Sequence, residues 1–163
     1  MNISIQDSVS ELLFSEADYL DQKQWSAWLD LYPDDCIYWV PAWINESAYT
    51  ENPDEELNLL YLKGKQNLID RVFRIETGDS FASVPMDRTT HLISNIRITS
   101  NEKKSIFVKA NWIVHSYGVR EAQTRGGFYE FTLIQSDLGL KIAQKKIILI
   151  DDKLVGPIDI FHL

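Results

Sequence analysis

Apolar residues recur at two different periods along this chain, and the change of period divides it into two parts. Over residues 4–21, Ile5, Val9, Leu12, Leu13, Ala17 and Leu20 fall at spacings of three and four, which lines one face of a helix. Ser4 followed by Asp7 matches a helix start. A shorter helix is predicted over 22–31, with Trp25, Trp28 and Leu29 on one face and Pro33 beyond its end. Cys36–Pro41 reads as a strand of high β-propensity, confined at Pro41 to an edge or a bulge. An acidic, irregular stretch over 44–57 precedes a further strand at 57–62. A third helix is predicted over 65–76, with Leu68, Ile69, Val72 and Phe73 as its apolar stripe and Gly78 ending it.

From Arg88 the period becomes two. Long strands are predicted at 88–100, 105–117, 126–136 and 138–150, joined by turns at Asn101–Lys104 and Asp137–Gly139. Helices first and then an antiparallel meander indicate an α+β domain, with helices packed on one face of a curved sheet. Strands of about a dozen residues extend ~40 Å and must twist and bend. Strict alternation places Leu92, Ser94, Ile96 and Ile98 on one side of the first long strand, and His91, Ile93, Asn95 and Arg97 on the other. In the second, Ile106, Val108, Ala110, Trp112 and Val114 oppose Phe107, Lys109, Asn111, Ile113 and His115. In the third, Phe128 and Ile134 oppose Tyr129, Phe131 and Leu133. Neither side is cleanly polar, so the outer face is expected to be partly covered, with a second chain as the cover. The aliphatic and Trp content of these strands predicts a filled interior.

Composition narrows the function. The 163 residues suit one domain, 1–163, with a sizeable core. The net charge of −8 argues against nucleic acid as a partner. Lys141, Lys145 and Lys146 read as the solvated side of a strand. No apolar run approaches the ~20 residues of a membrane span. The N-terminal residues carry no basic segment followed by an apolar one, so no signal peptide is expected. The single cysteine, Cys36, suits a reducing cytoplasm.

Four stretches carry a family resemblance: YLDQKQWSAWLDLYPDDCIYWVPAW (19–43), DRVFRIETGDSFASVPMDRTTHLISNIRI (70–98), GGFYEF (126–131) and KIAQKKIILIDD (141–152). Together they resemble the small (β) subunit of aromatic-ring-hydroxylating dioxygenases. PAWINESAYTENPDEELNLLYL (41–62) is further similar to the subgroup acting on benzoate, toluate or anthranilate. The resemblance implies a cone-shaped nuclear-transport-factor-two-like (cystatin-like) fold, with N-terminal helices on a strongly curved, largely antiparallel sheet. It also implies a structural role, stabilising and aligning catalytic α (large) subunits in a three-plus-three hexamer during aromatic compound catabolism. The Rieske 2Fe–2S cluster and the mononuclear non-haem iron are then expected in the large subunit, and NADH electrons arrive through a separate reductase.

Residue counts bear on that division of labour. A Rieske centre takes two Cys and two His. A mononuclear oxygenase iron takes two His and a carboxylate on one face. The chain has one Cys, and its three His are His91, His115 and His162. His91 and His115 can become neighbours across a hairpin, but each His reads more simply as a surface or interface residue. No catalytic, cofactor-binding or metal-ligating residue is therefore assigned to this chain, and it is expected to be non-catalytic within an oxygenase complex. Interface candidates are Arg88, Arg97, Trp39, Trp43 and His91. The two arginines are read as pairing either with acids of the large subunit or with acids of this chain. Trp25, Trp28, Trp39, Trp43 and Trp112 suit core or interface. Asp30, Asp34 and Asp35 suit turn caps or a cation. The residues also leave open a free-standing cone-fold isomerase or dehydratase using Asp35, Tyr38 or His91, and a homodimeric binding module.

Overall fold

Ser4 starts the first helix, α1 (Ile5–Asp21), through a reciprocal cap. Its hydroxyl accepts the Asp7 amide at 3.1 Å, and the Asp7 carboxylate accepts the Ser4 amide at 3.3 Å. The structure is a computed structural model that describes residues 4–151 and 153–163. The first three residues, where the reading of the N-terminal stretch begins, lie outside the described residues. Val9, Leu12, Leu13, Ala17 and Leu20 of α1 are buried as their spacing predicts, while Ile5 stays exposed on the first turn. The next helix, α2 (Trp25–Asp30), is shorter than its pattern, because Lys23 at φ 57 breaks the path between the two helices.

β1 (Ile37–Pro41) pairs antiparallel with β2 (Asn58–Lys63) and parallel with a later strand, and its register shifts between Val40 and Pro41, as a proline requires. α3 (Lys65–Glu76) has the expected bounds. Its buried residues are Leu68, Val72 and Ile75, whereas Ile69 and Phe73 face solvent, so the stripe lies one position round from the expected one.

Four strands complete the sheet: β3 (Arg88–Asn101), β4 (Ile106–Gly118), β5 (Glu121–Ser136) and β6 (Gly139–Leu149), in the order β2-β1-β6-β5-β4-β3. β3 to β6 form the expected meander, and α1 packs across β3 and β6. β5 begins at Glu121, earlier than expected, because Gly126 and Gly127 lie within the strand. Both glycines permit close backbone contact: a Cβ on Gly127 would sit 1.9 Å from the Ile148 carbonyl oxygen, and one on Gly126 2.9 Å from that of Trp112.

The faces of β4 and β5 are those the alternation predicts. β3 differs. Ser94 pairs with Asn111 and Arg97 with Lys109, so three steps on β3 oppose two on β4, and Asn95 absorbs the extra residue at φ 53. The bulge splits the expected face. Ile93, Ile96 and Ile98 pack against the core, and Leu92 points outward, 57% exposed. Leu92, Ile113 (50%) and Phe128 (48%) therefore make the outer face apolar, and Phe107 and Tyr117 are also exposed there.

The bulge makes a test of register. Ile93→Ala should cost about 1–3 kcal/mol in urea unfolding of the isolated chain, as a packed aliphatic does. Leu92→Ala should stay within ~0.5 kcal/mol, as a surface position does. The opposite ranking would mean uninterrupted alternation.

Candidate functional site

An acid from α1 and a lysine from β6 meet inside the cone. Lys145 (0% exposed) donates to both carboxylate oxygens of Glu16 (1% exposed) at 2.9 and 3.0 Å. Trp28 Nε1 and the Tyr32 hydroxyl each donate to Glu16 Oε1 at 2.9 Å. Four donated hydrogen bonds thus converge on one carboxylate, which is what a charge needs to survive burial. Aromatic rings surround the ammonium: Lys145 Nζ stands 4.4 Å from the Tyr129 ring centroid and 5.6 Å from that of Tyr38. Trp112 stacks on Tyr129 at 5.2 Å. Burial lowers the Lys145 pKa, with Glu16 opposing the shift. Burial also raises the Tyr38 and Tyr129 phenols well above their ordinary range, and Glu16 adds to both shifts. Neither hydroxyl has a partner among the described residues.

The lysine triplet on β6 is thus a correction to the sequence reading. Lys145 is core, Lys141 donates to the Asp30 carbonyl, and Lys146 lies over the rings of Trp39 and Tyr49 at 4.5 and 4.8 Å. The pattern held the signal. Lys145 shares its parity with the inward Ile147 and Leu149, and Glu16 lies between Leu13 and Leu20 on the apolar stripe of α1.

A second polar cluster lies where α1 ends and β3 begins. His91 Nδ1 is 2.6 Å from Asp21 Oδ1, and Asp21 also accepts from Thr89 and from the His91 amide. The chain from Asp159 to Leu163 folds onto this end. Asp159 binds Arg71 and Ser80, and Phe161 packs on Trp25 and beneath Lys23. His162 Nδ1 accepts the Asp159 amide at 3.1 Å, which leaves Nε2–H to donate to Asp87 Oδ2 at 3.1 Å. Burial pushes the His162 pKa down from 6.5 to about 4; Arg125 and Lys23 act in the same direction and Asp87 opposes them.

The outer face carries a groove of about 460 Å³, lined by Trp43, Tyr49, Arg97, Lys109, Phe128 and Glu130 among others. Trp43 is fixed there by its Nε1 hydrogen bond to the Leu149 carbonyl at 2.6 Å and by edge-on contact with Tyr49. Glu130 pairs with Lys109 at 2.9 Å and with Lys146 at 3.8 Å. Arg97 is exposed and, among the described residues, makes no ion pair or side-chain hydrogen bond.

The interface candidates separate on burial. Arg88 lies outward over the Tyr117 ring, and Arg97 and Trp43 border the groove. Trp39 and His91 are covered within this chain, Trp39 on the outer side of β1 under Lys146 and His91 on the inner side of β3. Trp39 is buried and donates to Asn58 Oδ1 at 2.6 Å, and the His91 side chain is fully enclosed by its bonds to Asp21 and the Leu163 carbonyl. His162 is likewise interior, whereas His115 is exposed and bonds Thr124. Asp35, Tyr38 and His91 do not converge. Asp35 is exposed, Tyr38 is core, and no hydrogen bond links any two of them among the described residues. Asp30 lies 3.9 Å from Lys65.

The donors do not fit the family's metal groups. Cys36 is one thiol where a Rieske cluster needs two, and burial pushes its pKa up to about 11. Thr90 faces His115 and His91 faces Val114 across the hairpin, so the two histidines are close in register but on opposite sides of the sheet. Among the described residues, no three His, Cys, Asp or Glu side chains group as a metal site, and no helix is long and apolar enough to cross a membrane.

Residues 15–155 match the ring hydroxylating beta subunit family. The chain is 38% identical to the benzoate 1,2-dioxygenase subunit beta of Acinetobacter baylyi over 157 residues, covering 96% of this chain and 93% of that one. It is 30% identical to the anthranilate 1,2-dioxygenase small subunit of the same species, covering 100% of both. Among solved structures, the beta subunit of the benzoate 1,2-dioxygenase from Burkholderia mallei matches with a TM-score of 0.80 at 34% identity, covering 100% of this chain and 99% of that chain. A nuclear-transport-factor-two-like protein with a cystatin-like fold from Novosphingobium aromaticivorans matches at 0.65 and 13% identity, covering 91% of this chain and 83% of that chain. This last likeness bears out the expected cone fold.

Two measurements test the interior. Lys145→Met should cost about 3–5 kcal/mol by taking the cation away from the buried Glu16 carboxylate, whereas the double variant Glu16→Leu, Lys145→Met should recover much of that loss. His162 is neutral when folded and binds its proton more readily when unfolded. Stability should therefore fall as pH drops from 6.5 to about 4, and His162→Gln should flatten that slope in pH-dependent urea melts.

Proposed function

The chain belongs to the ring hydroxylating beta subunit family, and on that premise we propose that it is the structural small subunit of an aromatic-ring-hydroxylating dioxygenase of the benzoate or anthranilate type. It works as one domain, in the cytoplasm, in a complex with a large subunit that holds the Rieske cluster and the mononuclear iron. A three-plus-three assembly and an NADH-dependent reductase complete the enzyme. The complex adds both atoms of dioxygen to an aromatic carboxylate, and this chain contributes alignment and stability to the subunits that do so.

The observation that carries this reading is how the chain uses its chemically capable residues. Glu16 and Lys145 neutralise each other in the core, His91 and His162 are held by Asp21 and Asp87, and Cys36 is a buried thiol. The outer face, in contrast, keeps half-exposed apolar side chains and an arginine, Arg97, with no ion pair among the described residues, a composition suited to a partner. Arg88, Arg97 and Trp43 are the contact residues in this account. Trp39, covered by Lys146 on that face, and His91, held by Asp21 beneath it, support the contact without making it.

Expression of the chain alone and together with its large subunit tests the proposal. The chain alone should show no turnover of benzoate or anthranilate. Co-expression should give a stable mixed oligomer, seen by light scattering, that oxygenates one of them when supplied with reductase and NADH. A chain that ignores the large subunit would contradict the reading.

A further inference from the structure

We propose that the groove on the outer sheet face receives an acidic side chain, flanked by apolar residues, from the large subunit, and that Arg97 is its ion-pair partner. The inference rests on the functional reading above and adds the surface and the chemistry of the contact.

The argument begins with register. The Asn95 bulge turns Arg97 outward and sets it directly opposite Lys109 on the neighbouring strand. Like charges at facing positions repel. Glu130 relieves Lys109 and Lys146, and Arg97 is left with no acid among the described residues. The face repeats this imbalance on a larger scale. The outward positions of β3, β4 and β5 carry Arg88, Arg97 and Lys109 against Glu130 alone, on a chain whose net charge is −8. A cationic patch concentrated on an acidic protein calls for an acid from outside.

The surroundings define the rest of the ligand. Trp43 and Phe128 wall the groove, with Leu92 and Ile113 half-exposed on the same face, so the acid arrives among apolar neighbours. A carboxylate there meets a planar guanidinium able to bind it through two parallel hydrogen bonds, in a site that the aromatic walls dry on closure. A second copy in a two-fold contact is the poorer occupant, because the patch would press against itself and double the repulsion between Arg97 and Lys109; a copy met head-to-tail, as in a three-fold ring, is separated from the large subunit by the test below.

The test uses the purified mixed complex, diluted through its dissociation range in sedimentation velocity runs. Arg97→Glu should weaken association about 10- to 100-fold, and Arg97→Gln less. Lys104→Glu, a charge reversal in the β3–β4 turn, should leave association unchanged. The Arg97 side chain makes no hydrogen bond or ion pair among the described residues and faces Lys109, so in the chain alone both variants should hold or raise the wild-type thermal midpoint. Equal association of Arg97→Glu and wild type, or equal loss with Lys104→Glu, would overturn the inference while the functional reading stands. A homo-oligomer of the chain alone, dimer or three-fold ring, that Arg97→Glu dissociates would assign the face to a second copy instead. Failure of the wild-type chain to join the large subunit at all would overturn both.

Discussion

A single buried ion pair ties the first helix of this protein to the last strand of its sheet. Glu16 and Lys145 are separated by 129 positions and come together at 2.9 Å, fully buried. Such a pair is not a large source of net stability, because two charges must leave water to form it. Its value is geometric. An uncompensated charge in this core would be costly, so α1 must dock on β6 in the one arrangement that brings Glu16, Lys145, Trp28 and Tyr32 together. The aromatic cage of Tyr38, Tyr129 and Trp112 then packs around that fixed centre.

This constraint also separates the inside of the molecule from its outside. Inside, acid meets base, and the histidine side chains of the second cluster are held by carboxylates. The chain from Asp159 to Leu163 seals the end where α1 meets β3. Outside, the same strands present Leu92, Ile113 and Phe128 beside cations that outnumber acids. The buried acid, lysine and histidines are engaged within the chain, while the sheet face keeps half-exposed apolar side chains and an excess of cations, the composition of a surface suited to a partner. That is the physical content of membership in a family of beta subunits.

Much of this was legible in the sequence, and the failures are specific. The helix bounds at 65–76, the Ser4–Asp7 cap and the faces of β4 and β5 follow from spacing alone, because local hydrogen bonding and a period of two leave little choice. The face of β3 was misread at Asn95, because a bulge changes parity without a glycine to mark it. The start of β5 is hidden in the sequence, because two glycines that look like a break instead allow neighbouring backbones to approach. The charge of Lys145 suggests solvent, although its parity points inward. Its partner is far away in sequence, and only the fold joins them. His91 and Trp39 read from the sequence as contacts, yet His91 is held on the inner side by Asp21, and Lys146 and Asn58 cover Trp39 on the outer side.

At the centre stands the proposal that the redox metals belong to a different chain, supported by one buried thiol and three histidines engaged apart from one another among the described residues. Iron and sulfide analysis of this chain, purified alone and incubated anaerobically with ferrous iron and sulfide, tests it most directly. The account predicts no stoichiometric iron after desalting and no iron–sulfur signal by electron paramagnetic resonance on reduction. Tightly held iron at one or more equivalents per chain would contradict it.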